Sequence, residues 1–209
     1  MAENLYARFL FWQGKLQEVN LINAEQLAKK GKDRRTIRSL HRLRGQWRLE
    51  QVQWESATNS FLEAVLIARA MGQKDEEAEA FLALTKLHLK QLPDPHHIAE
   101  QLASAKEPAH RPLAELWLAI GNHEQATKHA LAAYKWAWAD GEPYVHRYEL
   151  NKARALLEQL NIPIPDLPPY DPAKEEKFPW EDELVAAIEE LRAKAEAEKA
   201  ADGQAEDWQ

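Results

Sequence analysis

Gly45-Gln46-Trp47-Arg48-Leu49-Glu50-Gln51-Val52-Gln53-Trp54-Glu55-Ser56-Ala57-Thr58-Asn59-Ser60-Phe61-Leu62-Glu63-Ala64 is the stretch on which the fold turns. Gly45, Ala57, Phe61 and Ala64 stand 12, 4 and 3 residues apart. The last three share one helix face, because positions three and four apart lie one above the other. A small residue on the preceding helix lets two helices approach closely, and a large residue at the turn between them plugs the gap. The same spacing returns 69 residues later in Ala114, Ala126, Ala130 and Ala133, about two units of 34 residues further on. One unit earlier it falls on Ala7, Val19, Asn23 and Gln26. Gly14 and Gly121 take one common place between helices, and Leu16, Trp54 and His123 another, just before the second helix. Each such hairpin leaves an apolar face open, which the next hairpin covers.

Helical periodicity extends outward from this unit, as in Phe61, Val65 and Ala68, in Phe81, Leu84 and Leu87, and in Leu113, Trp117 and Ile120. Alternating strand patterns and Asn-Gly or Asp-Gly hairpins are missing from the sequence. The pattern predicts helices over 2–13, 16–30, 33–51, 53–71, 75–91, 95–106, 109–120, 123–139, 144–160 and 180–200. Asp94 before Pro95 reads as an N-cap with proline in the first turn, and Asn122 with Gln125 as a capping box. Gly31, Gly72 and Gly141 read as left-handed helix ends.

The 209 residues are 45% hydrophobic and 29% charged, which is globular rather than disordered composition. No cysteine is present, excluding a disulfide scaffold, a thiol nucleophile, a zinc finger and an iron–sulfur cluster, and fitting a cytoplasmic protein. No apolar run approaches the roughly 18 residues of a membrane span, and Glu3 and Arg8 sit where a secretory signal would be apolar. All 11 prolines follow Leu92, and 6 of them lie between Pro163 and Pro179. The expected organisation is therefore a helical repeat domain over 1–160 and a Pro-rich extended segment over 161–179 packed along it. A helix over 180–200 leading back onto the repeats and a disordered tail over 201–209 complete it.

The quoted spacing resembles the tetratricopeptide repeat, with a small residue in the first helix and small, aromatic and small residues in the second. Unit two carries it as Gly45, Ala57, Phe61 and Ala64, and unit four as Leu113, Ala114, Trp117, Ala126 and Ala133. Two positions depart from that family. His41 or His110 stands where it has tryptophan, and Arg69 or Trp138 where it has proline. The resemblance implies an all-α, right-handed α-solenoid of about four helical hairpins with C-terminal capping helices. The segment from Pro165 to Trp180 also resembles the C-terminal ends of the sensor regions of bacterial STAND signalling NTPases, although the chain contains no Gly-x-x-x-x-Gly-Lys-Ser/Thr. That likeness implies a ligand-sensing module.

Catalytic and metal patterns are missing from the sequence. His123 and His129 are six apart, so they point to different sides of a helix, unlike the four-residue spacing of zinc proteases. Ser39, Ser56, Ser60 and Ser104 lack an elbow or Gly-rich oxyanion turn. No enzyme activity, cofactor or metal is expected. The charges, by contrast, are segregated. Residues 1–74 carry 13 Lys+Arg against 7 Asp+Glu, and the remainder 14 against 27. The basic run holds Lys29, Lys30, Lys32, Arg34, Arg35, Arg38, Arg42, Arg44 and Arg48. In the tetratricopeptide arrangement the first helices line a concave groove. By position this gives Arg8 and Trp12, then Arg38, Arg42, Gln46 and Glu50, then Lys86 and Lys90, then Arg111 and Glu115. A mostly basic groove of this kind suits a protein partner presenting an acidic peptide or a free carboxylate. The acidic net charge of −7 and the single interleaved Trp47 argue against nucleic acid. Eight tryptophans would support homo-oligomer formation.

Overall fold

The computed structural model describes residues 2–174 and 180–206. It is all-helical. Among the described residues are α1 (Ala2–Trp12), α2 (Glu18–Lys30), α3 (Arg34–Glu50), α4 (Trp54–Ala70), α5 (Glu76–His88), α6 (Pro95–Ala103), α7 (His110–Ile120), α8 (His123–Trp138), α9 (Arg147–Gln159) and α10 (Glu181–Glu206), with one 3-10 turn at Pro172–Lys174 and no strand. None of the described helices is long and apolar enough to cross a membrane.

The helix starts follow from capping chemistry. Asp33, Asp75, Asp94 and Asn122 each accept the backbone N–H three residues on, from Thr36, Ala78, His97 and Gln125. Gly72 and Gly141 adopt positive φ as expected, but Gly31 is right-handed and Lys32 takes the left-handed step with φ 52°. Helix α5 ends earlier than predicted, where Lys90 turns the chain left-handed, and α6 stops at Ala103 rather than at 106.

The chain forms two compact units, Met1–Pro169 and Tyr170–Gln209. In the first, each helix packs on its neighbour in sequence, and α1 with α3, α5 with α7, and α7 with α9 also touch. Gly45 makes the closest approach. A Cβ there would lie 2.6 Å from Cε1 of Phe61. Phe61 in turn stacks on Phe81 of α5, with centroids 5.0 Å apart and planes at 12°. Ala57, Phe61, Ala64, Ala126 and Ala130 are fully buried.

The register expected for the first hairpin is wrong by two residues. Val19 is 50% exposed, and Leu21, Ala24 and Ala28 face inward instead. The cause is the α1–α2 turn, which spans 13–17 whereas the α7–α8 turn spans 121–122. Leu16 is buried inside that longer turn. His123 does not plug its turn and is exposed, whereas Trp54 stacks on His88 at 4.0 Å.

The Pro-rich segment is divided between the units. Ile162 and Leu167 pack against the α8–α9 core, and Nε1 of Trp138 donates to the Pro168 carbonyl at 2.9 Å. The second unit contains the 3-10 turn and α10, whose first turn carries Glu181, Asp182 and Glu183 at the positive end of the helix dipole. The helix runs through Glu206, so 201–206 is helical rather than disordered, as its Ala and Glu content favours. The parts of the Pro-rich and tail expectations over 175–179 and 207–209 lie outside the described residues.

An alanine in place of glycine inside a solvated helix gains up to about 1 kcal/mol. Gly45→Ala is expected to lose about 1–3 kcal/mol instead, because the methyl group must displace the Phe61 ring. Urea unfolding of the two proteins checks the sign, and a gain in stability would show that Phe61 does not rest on Gly45.

Candidate functional site

A cavity of about 920 Å³ opens among α1, α3, α7, α8 and α9. Its walls include Arg8 and Trp12 of α1, Arg42 and Gln46 of α3, Arg111 of α7 and Trp136 of α8. Helix α9 closes the far side. The Tyr148 hydroxyl donates to Oε1 of Glu50 at 2.8 Å, across 98 residues of chain. Its ring lies 4.9 Å from that of Phe11, and Lys152 also pairs with Glu50. Burial pushes the Tyr148 phenol well above its ordinary range despite nearby Arg111, so the hydroxyl stays neutral and donates. No local pattern in 144–160 signals that it reaches back to the first hairpins.

From Arg38 onward, the arginines of α3 do not form a free basic face. Nη1 of Arg42 lies 3.2 Å from Asp75 and 3.0 Å from Glu77, and Arg38 approaches Asp75 at 3.5 Å while donating to Gln73. Arg44 pairs with Glu18 at 3.0 Å and Glu25 at 2.8 Å, and Arg48 donates to Ser60 and the Ser56 carbonyl and reaches Glu18. Gln46 donates to Glu77 at 2.6 Å. On α7, Arg111 pairs with Glu149 and with Glu115 at 3.1 Å, and its guanidinium lies 4.8 Å from the centroid of Phe81. Burial opposes the charge on Arg111, but Glu115 and Glu149 outweigh it and hold the guanidinium above its ordinary value. Carboxylates on other helices thus answer Arg38, Arg42, Arg44, Arg48 and Arg111.

Arg8 is the exception. Its Nη2 donates to the Ser39 hydroxyl at 2.7 Å, and no carboxylate pairs with it among the described residues. Burial and the charge of Arg42 push its guanidinium below its ordinary value, and Glu77 opposes them. The site therefore holds a half-buried positive charge that an incoming anion would stabilise.

Of the residues expected in the groove, Arg8, Trp12, Arg42, Gln46 and Arg111 line the cavity. Arg38, Glu50 and Glu115 stand behind its wall and hold it in place through their pairs. Lys86 is half-buried on α5, and Lys90 is exposed beyond that helix's end, neither of them at the cavity. Sequence reasoning missed Phe9, Trp136 and Tyr148. Phe9, Trp12 and Trp136 are 50%, 56% and 60% exposed. Trp136 is held by His146, which stacks on it at 4.7 Å and 19°.

His110, also in the cavity wall, sits with its Nδ1 2.9 Å from Nδ1 of His129. One ring donates and the other accepts, so the accepting ring is neutral. Burial, with help from His110 and Lys128, lowers His129 to about 4. Among the described residues, no three histidine, aspartate or glutamate side chains converge to hold a metal ion.

Two outcomes follow from this geometry. Asp75 caps α5 and answers Arg42, so Asp75→Ala is expected to cost about 3–5 kcal/mol, against about 1 kcal/mol for Asp94→Ala, an exposed cap alone. Chemical unfolding of both variants reads the difference. His129 is depressed in the folded chain, so the unfolded chain binds the extra proton first as pH falls. Stability is fully present above about 6.5 and declines toward about 4. Thermal melts across that window should show the decline, and His129→Gln should flatten it.

The chain matches no protein-family model, no curated protein and no solved structure.

Proposed function

We propose that this chain is a non-catalytic binding protein, an adaptor or scaffold that holds part of a protein partner in the cavity closed by α9. The reading includes a right-handed solenoid of tetratricopeptide-like hairpins α1–α2, α3–α4, α5–α6 and α7–α8, capped by α9. Chain-order packing supports it, as does the recurrence of buried small residues at Gly45, Ala57 and Ala64 and at Ala114, Ala126 and Ala133.

One observation carries the functional part: exposed Phe9, Trp12 and Trp136 surround a cavity that also contains Arg8, which no carboxylate pairs with among the described residues. Large aromatic side chains left in water beside a desolvated cation gain by being covered, and aromatic and arginine residues supply most of the energy at binding hot spots. The Ser39 hydroxyl is taken up by Arg8 rather than by a base. A nucleic-acid reading has less support, since Arg42, Arg44 and Arg48 of the run already donate to the chain's own carboxylates.

Affinity capture from a nuclease-treated lysate of the source organism, read by mass spectrometry, tests the reading. A partner held by the wild type should be lost at least tenfold by Trp12→Ser/Trp136→Ser. Equal recovery on wild type and variant would place binding outside this cavity.

A further inference from the structure

Resting on that reading of the cavity, we infer that what it takes from the partner is a single carboxylate joined to a flat aromatic body, as at a chain's C-terminal aromatic residue, rather than a run of acidic side chains. The charge arrangement sets the number of anions. Arg42, Arg111 and Arg147 line the cavity, but each already has a carboxylate of the chain, Arg147 through Glu142 at 2.9 Å. Among the described residues Arg8 alone of these four lacks one, and the Ser39 hydroxyl accepts from Nη2 of its guanidinium. Its remaining N–H donors form part of the fork that takes a carboxylate's two oxygens.

A second or third carboxylate on the ligand would meet Glu77 and Glu149 in the same wall. Like charges brought together in a partly desolvated cleft disfavour that ligand, which is how such a site rejects an acidic run. The rest of the lining calls for an apolar body. Phe9, Trp12 and Trp136 offer aromatic surface, and Trp136 is fixed in place by His146 before any ligand arrives. A pre-held indole spends less conformational entropy on binding. The cavity volume of about 920 Å³ lies within the range that encloses a drug-sized molecule or the side chains of a few residues.

Calorimetric titration of the full chain with 2-naphthylacetate, the isosteric neutral 2-naphthylacetamide and a capped tetraglutamate peptide decides the ligand class. The carboxylate should bind about tenfold or more tightly than the amide. Arg8→Met should remove that difference, bringing the carboxylate's affinity down to the amide's, and Arg8→Lys, which keeps the charge without the fork, should fall between. Tetraglutamate should bind no better than the amide. Tighter binding of tetraglutamate than of naphthylacetate would overturn the ligand class and leave the cavity's binding role standing. Failure of both naphthyl probes to bind would also overturn it, while the capture experiment separately decides whether the cavity binds a partner at all. Circular dichroism melts of both Arg8 variants show whether either has lost its fold.

Discussion

A guanidinium taken out of water requires a carboxylate, and the first 169 residues are organised around that requirement. Arg42 lies among Asp75 and Glu77, and Arg111 among Glu115 and Glu149. The first group fastens α3 to the start of α5, and the second fastens α7 to α9. Asp75 uses Oδ1 for both the Ala78 N–H and Arg42, so the helix cap and the inter-helix tie are one contact. Removing one partner from such a group leaves an unanswered buried charge, which is why these pairs govern the geometry more than their net contribution to stability suggests.

Close helix approach makes those pairs possible. The missing side chain at Gly45 lets the Phe61 ring lie against α3, and Phe61 then stacks on Phe81 beneath the guanidinium of Arg111. Small-residue packing and charge pairing therefore meet on the same two phenylalanine rings. Tyr148 adds the closure, joining α9 to Glu50 and Phe11. The resulting cavity has its cations neutralised from within, except at Arg8, and its aromatic side chains left uncovered at Phe9, Trp12 and Trp136.

Much of the fold was legible because its signals are local. Helical periodicity placed every helix, and the side chains of Asp94 and Asn122 cap as their spacing implies. The small-residue recurrence correctly marked Ala57, Phe61, Ala64, Ala126 and Ala130 as core. The first hairpin failed because a turn longer than the template shifts the register, and nothing local distinguishes a buried turn residue such as Leu16 from a helix-start plug. The site was half legible for a related reason. Positional reasoning found Arg8, Trp12, Arg42, Gln46 and Arg111 at the cavity. It read the arginine run as a free basic face, because the acids that answer it, Glu18, Glu25, Asp75 and Glu77, sit on other helices. Tyr148 and Trp136 were invisible since their roles depend on contacts between elements far apart in sequence.

The chain's own carboxylates occupy Arg42 and Arg111 and, among the described residues, leave Arg8 without one. Arginine side-chain Nε–H nuclear magnetic resonance tests it most directly, by hydrogen exchange and by titration with acetate. The account predicts slow exchange and unmoved signals for Arg42 and Arg111, with the Arg8 signal alone exchanging fast and shifting as acetate is added. Fast exchange of Arg42 and Arg111 together with acetate-dependent shifts at both would contradict it, and would restore the picture of an open basic groove.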